Sequence, residues 1–204
     1  MRTFRIVGAS SIAFLFAASL AIAQAPEMVR VRGSIESVDG QMLTVKSRDG
    51  ATMKVKLADN APVRAVVKQS LADVKQGAFV GIAAMPQPDG SQKAIEILIF
   101  PEALRGTGEG FRAWDLMPNS TMTNAGVDSI VTKVDATMLV LKYKDGEKTI
   151  VVPPDAAVVT FAPATMADLK PGEKIFIAAA AKQPDGTLNA PNVTVSRNGV
   201  NPPM

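Results

Sequence analysis

Val38-Asp39-Gly40-Gln41-Met42-Leu43-Thr44-Val45-Lys46 returns 96 residues later as Val134-Asp135-Ala136-Thr137-Met138-Leu139-Val140-Leu141-Lys142. The match runs on through Asp49-Gly50 and Asp145-Gly146, with 11 identities over the 26 positions 38–63. It resumes at an offset of 95, where Ala72-Asp73-Val74-Lys75-Gln76-Gly77 meets Ala167-Asp168-Leu169-Lys170-Pro171-Gly172. Ile82-Ala83-Ala84 then meets Ile177-Ala178-Ala179, and Gln87-Pro88-Asp89-Gly90 meets Gln183-Pro184-Asp185-Gly186. Matches in this order, with a single-residue gap, mark an internal duplication. The copies span 29–100 and 127–197, with 101–126 between them.

Each copy reads as β. Residues 42–46 and 52–57 alternate in part with period two, and Asp-Gly sits between the two runs. That dipeptide supplies the positive φ a tight hairpin needs. Ser70 and Thr165 stand as caps before one short helical turn per copy. A buried strand follows each turn, then another Asp-Gly, then a last strand. About five strands in some 70 residues fit a small closed barrel of OB-like type, which removes exposed edges. The expectation is an all-β chain of two tandem five-stranded OB-like barrels with an ordered connecting segment.

The string from Gly33 through Val38-Asp39-Gly40, Leu43, Asp49-Gly50, Ala72-Asp73-Val74-Lys75 and Gly77 to Ile99 resembles a family of small secreted bacterial β-barrel domains. The family is catalogued as a domain of unknown function, number fifty-six sixty-six. The looser second match spans 129–195. The resemblance implies a fold and an extracytoplasmic compartment, and it brings no catalytic residues with it.

Composition removes whole reaction classes. The 204 residues include 0 Cys and 0 His. Ser-His-Asp and Cys-His nucleophiles, His/Cys zinc sites, disulfides and thiol redox chemistry are excluded together. Residues 1–23 read as a signal peptide: Arg2 and Arg5, an apolar stretch over 6–20, then Ala21-Ile22-Ala23 before the cut. An uncleaved anchor is the alternative, but the apolar run is short for a span, and no later segment could span as a helix. Removing Arg2 and Arg5 takes the formal charge from +3 to +1. So small a charge argues against a nucleic-acid partner.

Residues 101–126 have no counterpart in either copy and hold the sole Trp. A flexible linker would lack such anchors. Two readings follow. Trp114 clamps the seam between the barrels, or the segment also lines a binding cleft bordered by Arg105, Glu109, Arg112, Trp114 and Asp115. The favoured function is a non-catalytic periplasmic binding or scaffold module, without a cofactor, whose partner is an envelope protein, polymer or small ligand. The alternative is an envelope metal-handling accessory. Met117 and Met122 are its soft ligands; Glu109, Asp115, Asn119 and Ser120 are oxygen donors for a hard cation. Lys46, Lys54 and Lys56, with Lys142, Lys144 and Lys148, form a solvated face or meet an anionic polymer.

Overall fold

The computed structural model describes residues 26–132 and 137–202. The stretch 1–23 expected to be a signal peptide, and Val134, Asp135 and Ala136 of the duplicated stretch, lie outside the described residues. The strands are β1 Met28–Asp39, β2 Met42–Ser47, β3 Thr52–Leu57, β4 Val63–Lys68, β5 Phe79–Pro86, β6 Gln92–Ile99, β7 Gly110–Ala113, β8 Thr121–Thr132, β9 Thr137–Tyr143, β10 Gly146–Val152, β11 Ala157–Ala164, β12 Lys174–Lys182, β13 Leu188–Ala190 and β14 Val193–Val195. The expected capped turns are 3₁₀ turns at Leu71–Asp73 and Met166–Asp168. Each is fixed by a carboxylate that accepts from the cap's own backbone N–H, Asp73 from Ser70 at 2.9 Å and Asp168 from Thr165 at 2.8 Å.

The chain is all-β, and its ladders close into a five-stranded barrel. β1 pairs β2, β2 pairs β3, β3 runs parallel to β13, β13 pairs β12, and β12 returns to β1. A second ring of pairings runs β8–β9–β10–β6–β5 and back to β8, again with one parallel step, β10 to β6. The second ring comes wholly from 79–152, whereas the barrel takes its strands from 28–57 and 174–190. One barrel within 29–100 and another within 127–197, the tandem arrangement expected from the duplication, is therefore not what the ladders draw. Each ring combines three strands of one copy with two of the other.

β4 and β11 join the rings. They pair antiparallel with Val66 opposite Phe161, its own counterpart 95 residues on. A strand that meets its copy in this way lies on a local two-fold axis. The same symmetry relates the parallel steps: Leu188 pairs Val55 as Gln92 pairs Ile150, and Val193 pairs Val63 as Ile97 pairs Val158. The pairings also place the single-residue gap in the Asp-Gly hairpin. Val55 and Ile150 stand opposite the equivalent residues Leu43 and Leu139, so Ile150 rather than Val151 is the counterpart of Val55. β1 corresponds to β8 at an offset of 92, since Ile35 pairs Val45 as Val127 pairs Leu141. The first strand of the second copy thus reaches back into the segment first read as linker.

Both rings are filled. One core gathers Val31, Ile35, Leu43, Val45, Val55 and Leu57 with Ile175, Ile177, Leu188, Val193 and Val195. The other gathers Val80, Ile82 and Ile97 with Leu139, Leu141, Ile150 and Val152. Alternate residues of each strand point inward, so the side chains between them form the outer faces. Gly33 lets β2 approach: a Cβ there would lie 2.3 Å from the Lys46 carbonyl oxygen.

Candidate binding cleft

The connecting segment is ordered from the backbone outward. β7 pairs the first half of β8, from Gly110 opposite Asn124 to Ala113 opposite Thr121. The hairpin tip, 114–120, is built around Ser120. Its backbone carbonyl accepts from Trp114 N at 2.8 Å, and its hydroxyl accepts from Met117 N at 3.1 Å. Asn119 takes the left-handed backbone that closes the tip, at φ 64°.

This tip lies on the outer face of the barrel. Val31 and Ile35 point inward on β1, so Arg30 and Arg32 point outward, and Arg32 stands beside Phe176 of β12. Arg32 Nη1 donates to Asp115 Oδ2 at 2.7 Å, and Arg30 lies 3.5 Å from the other carboxylate oxygen. Arg48, from the β2–β3 turn, donates to the carbonyls of Asp115 at 3.1 Å and Leu116 at 3.3 Å. Trp114 sits among cations: the guanidinium carbons of Arg30, Arg32 and Arg112 are 4.1, 5.4 and 5.5 Å from its ring centroid. Phe176 meets it edge-on at 6.4 Å. Each such cation–π contact is worth about 0.5–2 kcal/mol, rising as water is excluded.

Burial works against ionisation of Asp115. The hydrogen bond from Arg32 and the charges of Arg32 and Arg30 outweigh it and hold the carboxyl below its ordinary value. Burial, and then the charge of Arg30, push the Arg112 guanidinium below its ordinary value.

Beside the tip runs a groove of about 320 Å³. Arg32, Lys46, Arg48 and Lys174 line it, with Glu96 from the second ring and Leu116 from the tip. Lys46, Ser34 and Lys174 are neighbours across three adjacent strands, so the two ammonium groups rise from positions about 10 Å apart. A larger groove of about 650 Å³, along 152–159, shares Glu96 and Asn201 with it.

Arg112, Trp114 and Asp115 of the expected set come together here. Arg105 and Glu109 do not join them. Arg105 binds the Glu102 carboxylate and the Gly77 carbonyl, and Glu109 accepts from Lys144 N at 3.0 Å. Of the two thioethers, Met117 is exposed at the tip and Met122 is buried. Ser120 serves the tip's own backbone. Among the described residues no three acidic side chains are grouped to hold a metal ion. Of the lysines, Lys142 pairs with Asp128 at 3.1 Å, and Lys148 covers the Phe111 ring at 4.4 Å. Sequence reasoning missed Arg30, Arg32, Arg48 and Phe176. The alternation Arg30-Val31-Arg32 shows two arginines on one strand face, but nothing local says that Trp114 lands there.

Among the described residues no helix is long and apolar enough to cross a membrane. Comparison of the chain with family models, with curated proteins and with solved structures gave no match.

Proposed function

We propose that the chain is an exported, non-catalytic binding or scaffold module of the secreted β-barrel kind, and that its contact surface is the cleft beside the β7–β8 hairpin. The observation that carries this reading is the lining of the groove, where Lys46, Arg48 and Lys174 stand beside the Asp115-paired Arg32 and one carboxylate, Glu96. The partner that complements it is anionic, such as an acidic envelope polymer. A rigid wall of strands and a pinned hairpin tip lose little entropy on binding, which favours recognition by a preformed surface.

The test is titration with poly-L-glutamate at low and then moderate salt. Binding should weaken steeply as salt screens the lysines and arginines. It should be lost in the combined variant Lys46→Gln, Arg48→Gln, Lys174→Gln. Binding that is indifferent to salt, or that survives in that variant, removes the cleft from the account.

A further inference from the structure

Around Trp114 cations outnumber carboxylates. Arg30, Arg32 and Arg112 crowd the indole, and Asp115 is the carboxylate that meets two of them. Arg112 Nη1 donates to the Gly108 carbonyl at 2.6 Å. The indole Nε1 is buried and reaches no acceptor. A buried N–H without a partner is costly, and like charges brought together in partial burial add to that cost. Both costs fall if an acceptor carrying negative charge enters.

We propose that Arg30, Arg112 and the Trp114 indole N–H form a seat for one oxyanion, a phosphate or carboxylate group of a ligand. Several features support it. Arg30 is partly exposed, its side chain at 36%, so its edge of the seat meets solvent. Arg112 comes from β7 and Arg30 from β1, so an anion between them bridges the hairpin to the barrel. A guanidinium offers a planar fork that matches two oxygens of either group, and charge-assisted bonds of this kind are about twice as strong as neutral ones. Asp115 holds Arg32 at 2.7 Å and lies 3.5 Å from Arg30, which fixes the floor of the seat. The seat shares only Arg32 with the neighbourhood of the basic groove, and it stands or falls independently of it.

Trp114 is the sole tryptophan and reports directly on the site. The experiment follows its emission while inorganic phosphate, and separately acetate, replaces chloride at constant ionic strength. A saturable change with either anion, absent in chloride, supports the seat, and the anion that produces it tells phosphate from carboxylate. Arg30→Gln and Arg112→Gln should each weaken the response by about tenfold or more. Arg30→Lys, which keeps the charge but loses the fork, should weaken it less. Lys54→Gln, an exposed charge change elsewhere on the barrel, should leave it unaltered. A response equal to that in chloride, or one unchanged in Arg30→Gln and Arg112→Gln, overturns the proposal. If the glutamine variants lose their near-ultraviolet circular dichroism, the folded Arg30→Lys variant decides: full retention of the response overturns the seat. The Lys46→Gln, Arg48→Gln, Lys174→Gln variant leaves the seat intact and should keep the phosphate or acetate response, so it separates the seat from the groove.

Discussion

A cut between the copies should leave one particle, because each ring takes strands from both sides of it. A protease site inserted after Gly106, in the exposed turn before β7, allows the folded chain to be nicked there. Separating the pieces would strip the first core of Leu169, Ile175, Ile177, Leu188, Val193 and Val195, and the second of Val74, Val80, Ile82 and Ile97. At about 1.5–3 kcal/mol for each large apolar side chain, these ten represent roughly 15–30 kcal/mol of burial. Bringing two pieces together costs about 4–15 kcal/mol. The midpoints leave about 13 kcal/mol, which corresponds to subnanomolar association. Size-exclusion chromatography of the nicked protein at about 1 μM should therefore give a single peak of unchanged volume, with both pieces on a denaturing gel. Two separate peaks, each with a folded near-ultraviolet spectrum, would mean that each copy closes on itself, and the assignment of strands to rings would be wrong.

Three further outcomes are expected. Gly33→Ala should destabilise by about 1–3 kcal/mol, since its Cβ meets the backbone of β2, and urea denaturation would show it. Trp114→Ala should cost about 2 kcal/mol, below the range for a buried Trp because the side chain is only partly buried, and amide exchange should quicken at 114–120 while β9 stays protected. Asp168 has a carboxyl held below its ordinary value of 3.8, first by the Thr165 N–H and then by Arg197. Its contribution is complete above that value and disappears as pH falls through the lowered one, so Asp168→Asn should flatten the acid side of a Tm-against-pH curve.

Much of this was open to inspection in the residues. The duplication, the Asp-Gly hairpins, the capped turns at Ser70 and Thr165, and the strand character of 42–57 follow from spacing and turn chemistry alone. The exchange of strands does not. β12 presents the same inward Ile175 and Ile177 whether it closes on β1 or on its own copy's first strand, so the apolar pattern is indifferent to the choice. What decides it is the course of β4 and β11, which cross between the rings. The step from Val127 to Leu141 is longer than that from Ile35 to Val45, and this hid the kinship of β8 with β1. At the cleft, Trp114 announced itself as an anchor, and Asp115 came with it. Gly106 and Gly108, both at positive φ, turn Arg105 away toward the second ring. Arg30 and Arg32 lie more than 80 residues from Asp115 in the chain, beyond any local pattern.

The nesting of the rings imposes an order on assembly. Any chain that emerges from its N-terminal side releases β1, β2 and β3 first, and the outer edges of β1 and β3 have no mate until β12 and β13 arrive. The middle stretch, 79–152, holds all five members of its own ring and can shut while the earlier strands wait. The open rims of β1 and β3 are therefore the longest-lived sticky surfaces during synthesis. Substitutions that delay the last forty residues should show up as aggregation well before they show up as lost equilibrium stability.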